Sequence, residues 1–318
     1  MFDVICVGEI LIDMIPIDTD LYNIRFGGAP MNCAVACARL GLHVGAIAAV
    51  GEDPLGQFLL NTLKNKNVDI SRVRIVKGKR TTLAFVVKLQ EGERAFFFYR
   101  KPWLPTADTE IILKEEDYNY VRNTKIVHIS GFALSQEPAR SNILKLVEYA
   151  YKNNIVISFD PTYRPDVWEN VDIMKKTYRI VMTKAHIMLA TLSEYEALLG
   201  IRSIDKIIHR LVAMGIKLVG IKMGKKGSLL AMGRKAYRMR AYKVPVKDTV
   251  GAGDAWNAGV LYGYLKGYSP MEIIRIANAI ASIKCMYVGA IEGLPSLEEA
   301  KKLVKEQDYV RPEEIRID

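Results

Sequence analysis

The sequence predicts an α/β fold: a three-layer arrangement in which helices cover both faces of a mostly parallel central sheet, with a small β-sheet projecting from it. Three observations predict it. Short, continuously apolar runs alternate with segments of helical period along the 318 residues, the pattern of strands buried on both faces. One hairpin-like stretch rich in aromatics interrupts that alternation. Half of the residues are hydrophobic, enough for one large core.

Taken in order, Val4–Val7 is an apolar run ending at Gly8 and reads as a buried strand. Ala29–Leu40 is a helix of small residues stopped by Gly41, and Val44–Val50 is the next strand. Pro54–Lys66 reads as a helix, with Pro early and Leu55, Phe58, Leu59 and Leu63 at helical spacing. Thr82–Leu89 and Arg94–Arg100 read as two strands around Glu91-Gly92, the second carrying Phe96, Phe97, Phe98 and Tyr99. Leu11–Phe26 is expected to add strands to that small sheet. After Pro102 the alternation resumes. Ile126–Ile129, Ile155–Phe159, Ile187–Ala190 and Leu218–Lys222 read as strands, and Gln136–Lys152, Ile204–Met214, Ala252–Lys266 and Met271–Tyr287 as helices. No internal repeat or low-complexity linker divides the chain, so residues 1–318 are expected to form a single domain. In such sheets ligands sit at the carboxyl ends of the strands.

The formal charge is +10, and every charged residue from Lys222 to Lys247 is basic. That block reads either as a field drawing in a polyanionic nucleotide or as a solvated basic face. No recognition motif accompanies it, so nucleic acid is not an expected partner. No basic leader precedes a long apolar run, and no apolar stretch reaches the length of a bilayer span, so neither a secretory route nor a membrane is expected. Cys6, Cys33, Cys37 and Cys285 lack zinc or redox spacing and read as small buried hydrophobes in a reducing cytoplasm. His43, His128, His186 and His209 have no supporting pattern.

Lys247–Gly259 holds the strongest chemical signal. Gly251, Ala252 and Gly253 stand just before or in the first turn of a predicted helix and leave backbone N–H groups uncovered. A helix N-terminus attracts anions, so a phosphate could approach closely there. Asp254 would then sit beside that phosphate, where general-base removal of a proton from an attacking hydroxyl gives a carboxylate a reason to be. A plain helix-capping turn with a dipole-matched Asp is the competing reading. A Walker A loop is excluded because no Gly-Lys-Ser/Thr closes the run, and Trp256 spoils a dinucleotide fingerprint. A second run, Gly27–Asn32, opens a small-residue helix and places Asn32 near its start. It suits either a polyhydroxylated ligand or close helix packing.

These two segments together resemble the ribokinase-like family of carbohydrate kinases, and within it the fructokinases, over nearly the whole length. Gly8–Asp13 is similar to the family's first strand and its sugar-binding Asp. Gly27–Asn32 with Arg39-Leu40-Gly41 is similar to its N-terminal signature, and Asp248–Asp254 to its C-terminal one. Phe98-Tyr99-Arg100 and Ala107-Asp108 resemble the fructokinase pattern. Phe159–Arg164 with Trp168 resembles an Asp-Pro-Asn-x-Arg…Leu-Trp run, here with Thr162 for Asn and Val167 for Leu. Ser193–Glu196 resembles an Asn/Ser-x-x-Glu motif, and Gly289-Ala290-Ile291 an adenine-side element.

The resemblance implies transfer of the γ-phosphate of ATP to a sugar hydroxyl, with fructose the expected acceptor. It implies Asp254 as base and the amides of Gly251, Ala252 and Gly253 as the anion hole. Asp13, Gly28, Asn32, Tyr99, Arg100 and Arg164 would bind the sugar. Lys222, Gly224, Gly227 and Asn278 would bind the nucleotide, and Glu196 would reach Mg2+ through water. Segments 11–26 and 82–103 would form a lid, and its exposed aromatics suggest a homodimer. The nearest alternative is 2-keto-3-deoxygluconate kinase of the same family, whose acid substrate would account for two pocket arginines. A non-catalytic sugar or nucleotide sensor is the alternative from another class.

Overall fold

A computed structural model of the chain describes residues 1–88, 94–100, 104 and 106–316. The predicted Glu91-Gly92 turn and residues 101–103 of the predicted lid lie outside them. The strands are β1 (Phe2–Val7), β2 (Leu11–Pro16), β3 (Tyr22–Gly27), β4 (Val44–Gly51), β5 (Val68–Val76), β6 (Thr82–Lys88), β7 (Arg94–Phe98), β8 (Thr124–Ser130), β9 (Val156–Asp160), β10 (Ile187–Thr191), β11 (Leu218–Lys222), β12 (Ser228–Met232), β13 (Lys235–Met239) and β14 (Glu313–Ile315). The helices are α1 (Ala29–Arg39), α2 (Pro54–Asn65), α3 (Glu115–Arg122), α4 (Ala139–Lys152), α5 (Val171–Met182), α6 (Leu192–Leu199), α7 (Ile204–Ala213), α8 (Ala252–Leu265), α9 (Pro270–Lys284) and α10 (Leu297–Glu306).

Among the described residues the large sheet has ten strands, in the order β14-β13-β12-β11-β10-β9-β8-β1-β4-β5. Pairing is parallel from β5 through to β11 and antiparallel from β11 to β14. The apolar strands are continuous because both faces are covered. In β1, Val4 and Cys6 join a core with α1, α2, α8, α9 and α10, while Ile5 and Val7 join another with α4, α5, α6 and α7. The smaller sheet, β3-β2-β6-β7, turns Phe96 and Phe98 toward a cavity beside the large sheet, with Phe98 against Phe132.

Two predicted boundaries move for local reasons. α4 starts at Ala139, not Gln136, because Pro138 takes the N-cap position. The helix predicted to Tyr287 ends at Lys284, where the chain turns toward Gly289. The sequence reading missed β5, β12, β13, β14, α3, α5, α6 and α10. No described helix is long and apolar enough to cross a membrane.

Candidate active site

The parallel strands deliver their ends to one cavity of about 600 Å3. Glu9 follows β1, Asp160 ends β9, Thr191 ends β10 and Lys222 ends β11, and all four line it. The N-termini of α1 and α8 close the same space, through Gly28 and through Gly251–Asp254.

Glycine is required at both helix starts. Gly28 has φ 109°, and a Cβ there would lie 2.5 Å from Glu9 O. Gly251 has φ 75°, and a Cβ would lie 2.2 Å from Ala290 O. The Gly251 and Gly253 N–H groups have no acceptor among the described residues, whereas Ala252 N–H donates to Thr249 O at 3.2 Å. The two glycine amides are therefore free to meet an anion at this turn, and that of Ala252 is engaged. Asp248 braces the turn, its Oδ1 accepting from Val250 N–H and its Oδ2 from Gly289 N–H.

Asp254 lies in the first turn of α8, and its Oδ2 accepts from Asn32 Nδ2 at 2.8 Å, which joins the two helix starts. Burial pushes its carboxyl up to about 7; the charge of Asp160 adds to the rise, while Asn32 and Lys222 oppose it. Across the cavity, Lys222 Nζ donates to Asp160 Oδ2 at 2.7 Å and to Asn257 Oδ1 at 3.2 Å. Burial pulls the ammonium down, but Asp160, Glu194 and Asp254 outweigh it and hold Lys222 above its ordinary value. A Cβ on Gly253 would lie 3.6 Å from Lys222 Nζ, so the lysine faces the start of α8.

Asp13, Gly28, Asn32 and Arg164 line the cavity, as do Lys222, Gly224, Gly227 and Asn278. Asp13 fits only because residue 27 is Gly, where a Cβ would sit 2.6 Å from its Cγ. Arg164 lies over the Phe96 ring at 5.5 Å and donates to Tyr163 O. Asn278 has its amide engaged: Oδ1 accepts from Ser228 Oγ and Trp256 Nε1, and Nδ2 donates to Arg240 O. It can pack against a ligand while holding β12 and α8 together.

Three predicted residues are not brought into the cavity lining. Tyr99 is half exposed and packs on Phe85 and Phe97, because alternation along β7 turns Phe96 and Phe98 inward and their neighbours outward. Arg100 is fully buried, paired with Asp108 at 2.7 Å, bonded to Ser135 and stacked on Phe132. It is a brace beneath the small sheet. Glu196 lies two residues, some 200° of helix, beyond Glu194, and it is Glu194 that lines the cavity. Glu194 caps α6 with Thr191 and accepts from Tyr163 N–H. Its place could have been found from Thr191, an N-cap three residues before an acid. Glu9 and Asp160 are the other acids of the cavity that the sequence reading left without a role.

A buried carboxylate, unpaired amides at a helix start and a cation opposite them suit a phosphotransferase with an alcohol acceptor. A family model described as pfkB family carbohydrate kinase matches residues 1–297, and the chain belongs to that family. It is 32% identical to a 5-dehydro-2-deoxygluconokinase of Clostridium perfringens, with 96% of this chain and 94% of that one covered. It is also 32% identical to an ATP-dependent 6-phosphofructokinase of Thermoanaerobacterium thermosaccharolyticum, over 95% of this chain and 94% of that one. A fructokinase of Vibrio cholerae, solved with fructose, ADP and calcium, superposes with a TM-score of 0.85 at 27% identity, covering 95% of this chain and 99% of its own. The chain is accordingly an ATP-dependent carbohydrate kinase with a ribokinase-like fold.

Proposed function

We propose that the protein phosphorylates the terminal hydroxyl of a six-carbon keto sugar acid, of the 2-keto-3-deoxygluconate class, at the expense of ATP. Arg164 carries this reading. It lines the acceptor end, and among the described residues no carboxylate forms an ion pair with it, so it is available for a substrate carboxylate. The relative named 5-dehydro-2-deoxygluconokinase favours the same class. Fructose is the second reading, favoured by the fructokinase superposition.

Asp254 takes the proton of the attacking hydroxyl, and Asn32 holds its carboxylate in place. The Gly251 and Gly253 amides receive charge developing on the γ-phosphate. Lys222 lies opposite them and supplies a positive charge to the phosphates. Asp13, Gly28 and Asn32 hold sugar hydroxyls, and the small sheet covers the acceptor and excludes water. The adenine ring of ATP lies among Ala241, Val244, Val246 and Ala281, beside Gly224 and Gly227. Among the described residues no three His, Cys, Asp or Glu side chains are grouped to hold a metal. Asp160 and Glu194 line the cavity, which suits Mg2+ that arrives on ATP and keeps most of its waters. Those two carboxylates would hold it through water, and its chemistry there is neutralisation of phosphate charge.

The test is coupled ADP release with ATP and magnesium against 2-keto-3-deoxygluconate, 5-dehydro-2-deoxygluconate and fructose. A keto-acid preference that collapses at least tenfold in Arg164→Met supports the reading. Preference for fructose, unmoved by Arg164→Met, sinks it in favour of the second. ATP and sugar binding without any turnover would point to a sensor.

A further inference from the structure

Glu9 stands at the carboxyl end of β1, beside the Gly28-Ala29 start of α1, and lines the cavity. It is 2% exposed. Its Oε1 accepts from Ala29 N–H at 3.2 Å and from Ser130 Oγ at 3.0 Å. Its Oε2 is buried and has no hydrogen-bond partner among the described residues. The cation whose field it feels, Arg100, is committed to Asp108. A buried carboxylate with one oxygen unsolvated and no cation of its own is costly, and such a group keeps its proton. Because Oε1 already serves two donors, the proton belongs on Oε2.

We propose that Glu9 is a specificity-determining residue of the acceptor site, whose Oε2 hydroxyl donates a hydrogen bond to a ketone-derived or carboxylate oxygen of the acceptor. This rests on the sugar-kinase reading of the cavity. It supplies an uncharged donor at the acceptor end, where Arg164 is the charged one. Asp13 offers acceptors for sugar hydroxyls, and Asn32 Oδ1 is a buried acceptor without a partner among the described residues. A keto, ring or carboxylate oxygen carries no proton and needs a donor instead, and a charged Glu9 would repel it. Burial pushes the Glu9 carboxyl up to about 8, against the Ser130 bond and the Arg100 field and with help from Asp108. The charged and titratable groups around it are Arg100 and Asp108 below the small sheet, Tyr178 of α5 and Asp13 of β2.

The experiment compares wild type with Glu9→Gln from about pH 6 to 9.5, reading KM for 2-keto-3-deoxygluconate, fructose and ATP. Gln keeps an accepting oxygen for Ala29 and Ser130 and a donor at every pH. In wild type the sugar KM should rise roughly tenfold per pH unit above about 8, as the neutral form is lost. In Glu9→Gln it should stay within about threefold of the wild-type value at pH 7 and be flat above it, with ATP KM unchanged in both. A rise with both sugars places the bond on the ketone-derived oxygen they share; one confined to the keto acid places it on the carboxylate. A Glu9→Gln enzyme whose sugar KM is tenfold worse at pH 7 overturns the donor role. Independently, a 13C-carboxyl titration assigned by Glu9→Gln overturns it if Glu9 ionises below about pH 6. That titration stands even if wild type phosphorylates none of these sugars, an outcome that would instead sink the acceptor reading.

Discussion

Asp254 shows how one residue's surroundings set its chemistry. With its carboxyl held at about 7 by burial and by Asp160, it is ionised only in the upper part of the physiological range. With the ionised form as the proposed base, kcat/KM should fall roughly tenfold per pH unit below about 7 and level off above it. His128 and Cys33 lie in its field along with Asp160, Lys222 and Asn32, and no described cation pairs with it directly. Asp254→Asn should lower kcat by roughly 10²–10⁴ and abolish that acid limb, leaving the ATP dissociation constant nearly unchanged. A variant with near-normal turnover would remove Asp254 from the mechanism. Thr162 poses a different residue-scale question. It is a β-branched residue at φ 40°, a region that Asn tolerates and Thr does not, and its Oγ1 and N–H both bind Asp160 Oδ1. Strain of about 1–3 kcal/mol is typical of such a position. Thr162→Asn should relieve part of it and raise the melting temperature by about 1–3 °C, read by differential scanning calorimetry. An unchanged or lower melting temperature would mean that the Thr162 hydroxyl bonds outweigh the strain.

At the scale of elements, the start of α8 separates folding from catalysis within three residues. Gly251 has a positive φ and would place a Cβ 2.2 Å from Ala290 O, so Gly251→Ala must displace the turn. Gly253 lies inside the helix with ordinary φ, and its Cβ would meet only Lys222, at 3.6 Å. Gly253→Ala should therefore fold, gain up to about 1 kcal/mol from helix propensity, and still lose at least about tenfold in turnover by crowding the phosphate. Gly251→Ala should lose stability and turnover together. Thermal melts beside steady-state rates decide, and a Gly253→Ala enzyme of normal turnover would take the phosphate away from this helix start. The α8 start was legible in sequence because only glycine satisfies it, and β1, β4, β8, β9, β10 and β11 were legible because two buried faces leave an unbroken apolar run. β5 was not, since Arg72 and Arg74 punctuate a half-exposed edge strand. Nor was β13, where the exposed Lys235 and Arg238 stand three residues apart and break the two-residue period, while β12 is a short buried run that the sequence reading passed over. Tyr99 fell on the wrong side because the alternation continuing from β7 was not applied to its aromatic run, whereas Arg100 shares the inward parity of Phe96 and Phe98 and is held out of the cavity lining by its pairing with Asp108. Arg100 also gave no sign in sequence of its partner Asp108, which reaches it through a 3-10 turn eight residues later.

For the whole molecule, the small sheet has two faces with different demands. Phe96 and Phe98 point into the cavity, while Tyr22, Phe85, Phe97 and Tyr99 form a connected set of rings on the other side. Ile24 and Val87 are exposed in the same strands, and Phe97 is 53% exposed. Among the described residues this four-stranded sheet with its apolar outer face has no second layer, and a protein of this size seldom leaves such a patch in water. A second copy of the chain, applying the same face, would bury both patches across a two-fold axis. We therefore expect a homodimer through the small sheets. Phe97→Asp puts an unpaired charge in the centre of that contact and should yield a monomer by light scattering at micromolar concentration. Because the inner face of the same sheet lines the cavity through Phe96 and Phe98, the monomer should also show a sugar KM raised about tenfold, equivalent to roughly 1.4 kcal/mol, with ATP KM unchanged. A wild-type monomer would refute the association itself. A monomeric Phe97→Asp enzyme with an unaltered sugar KM would leave the dimer standing but show that each small sheet holds its closed position on its own packing, through Phe98 on Phe132 and the buried Arg100–Asp108 brace.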